Sequence, residues 1–274
     1  MKTKILYLII VISLLISCNK QHKLTGEDLE QEYYGDHEDP TKKDSILIIF
    51  DKDKPFKVEY ETYDSLDIID GDIIIRDHNI DKLGFTGNII LGRTWPNTTL
   101  PYIIPDNLPQ KLKDNIKFAI RHWENVTPIK FVNRTNETSY VTFRKSKSPT
   151  IGSSAVGRQD YPQSIYLGTS TGKAVAIHEI GHALGLFHEH IRTDRDKYIE
   201  ILYENIAQKN HKWFKFLKGT PYGPYDFKSR MHYSKYARSI NGKITMKPID
   251  PNNKIENDGY LSQGDINTIK RLYK

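Results

Sequence analysis

The spacing of hydrophobic and polar positions changes several times along this chain, and each change predicts an element. Residues 5–16 are an apolar run behind Lys2 and Lys4. The run is about a dozen residues, short for a bilayer span, which needs roughly 20; the charged-then-apolar order predicts an export leader. From Asn19 to about Asp44 aliphatic residues nearly vanish, which predicts a polar tether. SILIIF (45–50) and FKVEYETY (56–63) are β-branched and aromatic with charged interruptions, the pattern of strands. DIIDGDIIIRD (67–77) sets two short apolar runs around Asp-Gly-Asp. From Trp95 onward strand and helix signals alternate. Pro96-Asn97 marks a turn, and LPYIIP (100–105) predicts a short strand. Leu112, Ile116, Ala119, Ile120 and Trp123 recur at helical spacing within residues 108–124. IKFVN, SYVTFRK and SIYLG are strand-like, and Thr171-Gly172 then leads into an apolar helical run. The chain closes on LSQGDINTIKRLYK, with Ser262 and Asp265 at a helix start and Ile266, Ile269 and Leu272 on one face.

Composition narrows the class. A chain of 274 residues that is 38% hydrophobic carries a real core. The formal charge of +6 is modest and interspersed with acids. That is a solvated basic surface, and it argues against nucleic acid as a partner. Cys18 is the single cysteine, so no internal disulfide supports the fold, and stability comes from the core and from any metal. Leu15-Ile16-Ser17-Cys18 resembles the lipobox of bacterial lipoproteins, which implies cleavage before Cys18, lipidation of its thiol and attachment to the membrane of a bacterial envelope; an ordinary secretory signal is the alternative.

The apolar helical run carries the chemistry. IHEIGHALGLFHEH (177–190) places four of the chain's ten histidines within thirteen residues. His178 and His182 are four apart, so on a helix they share one face, one turn above each other. Neutral imidazoles there can grip one ion from the same side. Glu179 is turned by about 100° from the first ligand and reaches a water at the ion without taking a coordination position. Gly185 stands where the helix is expected to end in a positive-φ turn, and that turn returns His188 as a third ligand. Three imidazoles with one open position describe a catalytic zinc site. HExxHxxGxxH fixes five identities, far more than HExxH alone.

These residues resemble the zinc signature of the metzincin metalloproteases, and the continuation through Glu189, Arg192 and Asp194-Arg195-Asp196 resembles the astacin branch. YDFKSRMHYS (225–234) is similar to the astacin Met-turn, with Arg230 where a small aliphatic is usual. The resemblance implies a zinc-dependent endopeptidase acting on protein or peptide substrates. Its fold would be α+β: a twisted mixed sheet, two long helices over the cleft and an irregular C-terminal half. His178, His182 and His188 would bind one Zn2+, Glu179 would be general base and then general acid, Met231 would form the floor under the metal, and Tyr233 would be a displaceable ligand that stabilises the tetrahedral intermediate. Asp70-Gly71-Asp72-Ile73 resembles the switch of the family's prosegments, which makes Asp72 the latency ligand; a plain Asp-Gly turn is the alternative. Glu189 would pair with the amine freed on maturation, or lie exposed at the helix end. The division implied is a signal peptide over 1–17, tether and prosegment over 18–87, and a catalytic domain over 88–274, cut near residues 85–88. His190, His211 and His232 have no metal-requiring spacing, and KNHKWFKFLKG (209–219) is explained by a helix with its aromatics in the core and its lysines in water. The expected protein is a monomer, exported and lipid-anchored or secreted. A zinc-binding surface protein that grips peptides without cutting them, or cuts very few, is the competing reading; an intact Glu179 argues against it.

Overall fold

A computed structural model describes residues 40–50, 55–79, 89–91, 93–217, 221–256 and 258–274. The leader, Cys18, most of the tether and the expected cut at 85–88 lie outside the described residues.

The part of the chain after Trp95 is built on parallel strands. β6 (Thr99–Ile103), β7 (Lys130–Asn133), β8 (Val141–Lys145) and β10 (Gln163–Leu167) pair in parallel in the order β10-β8-β6-β7. The short β9 (Ser153–Ser154) runs antiparallel along the edge of β10. Two helices cover this sheet. In α1 (Gln110–Val126), Leu112, Asn115, Ile116, Ala119, Ile120 and Trp123 form the buried stripe that the sequence spacing predicts. α2 (Lys173–Ala183) is buried at every position from Ala174 to Ala183. A helix enclosed on all sides shows no amphipathic stripe, and small residues such as Ala176, Gly181 and Ala183 let neighbours approach it. Trp123 Nε1 donates to Ile177 O at 3.1 Å and Trp95 Nε1 to Ala183 O at 2.8 Å, so two buried indoles fix α2 along its length. The closing helix α3 (Gln263–Leu272) starts with a capping box between Ser262 and Asp265.

The segment before Trp95 is folded onto the same sheet. β1 (Lys42–Phe50), β2 (Phe56–Tyr63), β3 (Leu66–Ile69) and β4 (Ile73–Asp77) form an antiparallel meander, with β5 (Ile89–Leu91) parallel to β1. β4 then pairs in parallel with β9, Ile73 opposite Ser154, so one ten-stranded sheet crosses both parts of the chain. β1 begins at Lys42, slightly inside the stretch expected to be tether, because its ladder to Tyr60–Thr62 recruits the charged residues Lys42 to Asp44.

The C-terminal half is irregular, as expected: β11 (Ile199–Ile201) and β12 (Met246–Pro248) make a two-stranded sheet among loops and short 3-10 turns. Where a helix is expected over 209–219, the described residues instead form a 3-10 turn, Gln208–Phe214, in which Trp213 and Phe214 are buried. Phe216 is 47% exposed, and the Arg195 guanidinium lies 4.4 Å from its ring centroid. No helix among the described residues is long and apolar enough to cross a membrane.

Candidate metal centre

α2 presents His178 and His182 one turn apart, and its end is built to bring the chain back. Gly185 has φ +104. Its N–H donates to His182 O at 2.8 Å and the Leu186 N–H to Gly181 O at 3.0 Å, the two bonds of a Schellman motif. The same turn orients a ligand, because His182 Nδ1 donates to Leu186 O at 2.8 Å. His178 Nδ1 donates to Arg230 O at 2.9 Å, and His188 Nδ1 to Asp70 Oδ2 at 2.6 Å. All three rings therefore spend their outward nitrogen on an oxygen and point Nε2 inward.

Inward, the four donors close on one point. Asp72, His178, His182 and His188 are all buried, with ligand atoms within 4.8 Å of one another. His178 Nε2 and His188 Nε2 are 3.1 Å apart; Asp72 carboxylate oxygens lie 3.5 Å from His178 Nε2, 3.5 Å from His182 Nε2 and 3.3 Å from His188 Nε2. Donors about 2.0–2.1 Å from a tetrahedral zinc are roughly 3.3 Å from each other. Two buried atoms, His182 Nε2 and Asp72 Oδ1, make no hydrogen bond among the described residues. Nitrogen lone pairs and a carboxylate at this spacing repel unless a cation lies between them, so the residues fit one zinc ion. The electrostatics agree. Burial works against charge on His188, but Asp72 and Asp70 outweigh it and push the imidazole up to about 10. Burial would likewise raise Asp72, yet the three neighbouring imidazoles, His188 foremost, hold its carboxyl well below the usual range.

Glu179 is 1% exposed, and its Oε2 has no hydrogen-bond partner among the described residues. Burial first, and the Asp72 charge second, hold its proton affinity well above the usual carboxyl range. Space for the carboxylate exists because residue 152 is glycine: a Cβ there would strike Glu179 Oε1 and lie 2.8 Å from its Cδ. Gly152→Ala is therefore expected to displace the carboxylate and to lower kcat about 100-fold, the scale of a misplacement near 1 Å, with zinc content unchanged. Steady-state rates and metal analysis of the variant check this.

The remaining expected residues surround this point. Met231 is 2% exposed and lies under α2, its Sδ 2.8 Å from where a Cβ on Gly181 would sit. Tyr233 is fully buried; its ring stacks on His190 at 3.8 Å between centroids, and its hydroxyl donates to Asp70 O at 2.8 Å. Arg230 stands 2% exposed. Its backbone serves the site: the carbonyl accepts from His178, and the N–H donates to Asp265 Oδ2 at 2.8 Å. Those backbone bonds do not depend on the Arg230 side chain. Glu189 is partly buried, accepting from Arg192 Nη1 and from the Asp226 N–H, each at 2.8 Å; burial, outweighing Arg192, pushes its carboxyl up to about 7. His190, His211 and His232 donate to the carbonyls of Trp213, Ile206 and Tyr233 and stay outside the cluster. Sequence reasoning missed Asp70, Gly152 and Arg238, the last beside the Tyr233 hydroxyl and Gly71. Only the acidic pair around Gly71 offered a signal.

The family profile described as Astacin, a family of peptidases, matches residues 88–274. Bone morphogenetic protein 1 of Xenopus laevis is 35% identical over 195 residues, which are 66% of this chain and 27% of that protein. Zinc metalloproteinase nas-14 of Caenorhabditis elegans is 28% identical over 268 residues, 93% of this chain and 53% of that protein. The matches thus span between about a quarter and a half of these relatives. Among solved structures, high choriolytic enzyme 1, a hatching enzyme zinc-protease from Oryzias latipes, superposes with a TM-score of 0.60 at 32% identity, covering 67% of this chain and 94% of that one.

Proposed function

This chain belongs to the astacin family of zinc metallopeptidases, and from that premise we propose that it is an endopeptidase made latent by its own N-terminal segment. The observation that carries the reading is the convergence of three inward Nε2 atoms on one buried point, with the Glu179 carboxyl buried in the same cleft.

His178, His182 and His188 would hold one zinc ion. When bound, the ion supplies Lewis acidity, polarising the scissile carbonyl and lowering the pKa of water to about 7. Glu179 takes the proton of the attacking water and passes it to the leaving amine. Its high proton affinity supports that role, and loss of the neighbouring Asp72 charge on activation lowers that affinity. The Tyr233 hydroxyl, which holds a carbonyl oxygen in the latent chain, hydrogen-bonds the developing oxyanion of the substrate. Met231 supports the metal from below.

Latency rests on Asp72, whose carboxylate takes the fourth corner of the donor set. The strand pairing supports this: the Ser154 N–H donates to Asp72 O at 3.1 Å, so the segment is laid along the edge of the catalytic sheet. The division into signal peptide 1–17, prosegment 18–87 and catalytic domain 88–274 follows, with Glu189 receiving the new N-terminal amine after the cut. Cys18 anchors the exported, monomeric protein to a bacterial membrane through lipid. Substrates are proteins or peptides.

The test uses zinc-loaded chain nicked by limited proteolysis ahead of Trp95 and an unfolded protein substrate, with products read by mass spectrometry. Internal peptide bonds are expected to be cut, the cutting to stop with a zinc chelator and to resume on adding zinc back. Cleavage indifferent to the chelator would overturn the reading.

A further inference from the structure

One of the three imidazoles differs from the others in what orients it. His178 and His182 donate their outward N–H to backbone carbonyls of Arg230 and Leu186, both inside the region matched by the family. His188 donates to the carboxylate of Asp70, which precedes that region, at 2.6 Å. The other nitrogen of the same ring meets Asp72, whose Oδ2 is 3.3 Å from Nε2. One tripeptide, Asp70-Gly71-Asp72, therefore engages both nitrogens of one imidazole.

The backbone is shaped for this. Asp70 has φ +49 and Gly71 φ +88, two consecutive left-handed residues. Glycine adopts that conformation readily, and aspartate is among the few side-chain-bearing residues that visit it. A Cβ on Gly71 would strike the Tyr233 hydroxyl and lie 3.0 Å from an Arg238 nitrogen. The tight turn is what lets the two carboxylates straddle the ring. Asp70 is itself 8% exposed, and its carbonyl is held by Tyr233 at 2.8 Å.

We propose that Asp70 is a second residue of the latency device, a positioning residue that fixes His188 from behind while Asp72 occupies the metal-facing side. The proposal rests on the reading of Asp72 as latency ligand. A carboxylate on the outward nitrogen fixes the ring's tautomer and orientation and strengthens the inward nitrogen as a ligand. The latent chain consequently holds zinc more tightly through His188 than the processed chain does, since removal of the segment takes this acceptor away and leaves the other two in place. Latency and metal retention are thus coupled through one ring.

The experiment uses full-length, zinc-loaded chain as wild type and as Asp70→Ala, Asp70→Asn and Asp72→Asn. The first readout is the rate at which a chromophoric chelator takes up the zinc. The second is the imidazole N–H resonance of His188 by NMR, identified by its loss in His188→Gln. Asp70→Ala is expected to release zinc about tenfold faster, at the low end of the effect of losing such a partner, and to lose the strongly deshielded His188 resonance. Asp70→Asn, which keeps an acceptor oxygen, is expected to fall between, and it decides the matter if the alanine variant fails to fold. Wild-type release rates and an unshifted resonance in folded Asp70 variants would overturn the proposal. Asp72→Asn keeps the deshielded His188 resonance if Asp70 acts as stated; its proteolytic activity before processing reports on the Asp72 reading alone, so the two ideas fail separately.

Discussion

Replacing Glu179 by glutamine is expected to lower peptide-bond cleavage by three to four orders of magnitude, roughly the upper part of the range for losing a general acid–base group, with zinc content unchanged. Glutamine preserves the volume of a side chain that is 1% exposed and pressed against Gly152, so the packing around α2 is retained. His178, His182 and His188 keep their outward acceptors in the variant, because none of those bonds involves Glu179. Only the ability to take and return a proton is removed. Matched measurements of kcat and metal content on processed wild type and variant check the result. A variant that cleaves at the wild-type rate would place the base elsewhere.

The second large effect concerns latency. Asp72→Asn in the full-length, uncut chain is expected to raise basal cleavage by about 100-fold, the scale of truncating one partner in a buried, hydrogen-bonded charge pair. The side chain is 3% exposed, and its oxygens contact all three imidazoles at 3.3–3.5 Å. An amide keeps the shape but loses the charge that opposes a cation. The pairing of Ile73 with Ser154 is made by backbone and survives the change, so the gain reflects the vacated corner of the donor set and not loss of the whole segment. Activity should be followed together with the intact mass, so that uncut chain is known to be the source. An uncut variant as silent as wild type would move latency from Asp72 to the strand pairing itself.

Much of this site was legible in sequence because its central spacings are local. The separation of His178 from His182 has one geometric meaning on a helix, and Gly185 has one common meaning at the end of a helix. The α1 stripe was equally readable, since a helix packed on one side prints its face in the sequence. Met231 and Tyr233 came from resemblance, as did the α+β architecture; nothing in their own spacing points to the metal. Relations across long sequence distance were not legible. The edge pairing of β4 with β9 joins residues 73 and 154, and the alternation of neither short strand names its partner. Asp70 was quoted within the switch motif, but its hold on His188 depends on two consecutive left-handed residues, which the letters Asp-Gly suggest only as a turn. Gly152 carries no chemistry of its own and becomes informative once Glu179 is seen against it. The aromatic run at 209–219 went astray for a related reason: Phe216 finds a cation instead of the core, a contact made by the distant Arg195.

The central claim is that one zinc ion is held by the three imidazoles and enables the cleavage. The most direct measurement is a zinc titration of metal-free chain, wild type beside His182→Ala, with bound metal and cleavage after processing read on the same samples. One equivalent of tightly bound zinc in the wild type, with cleavage rising in step and both lost in the variant, is the predicted result. A folded wild-type chain that binds no zinc, or a variant that binds and cleaves as wild type does, would contradict it.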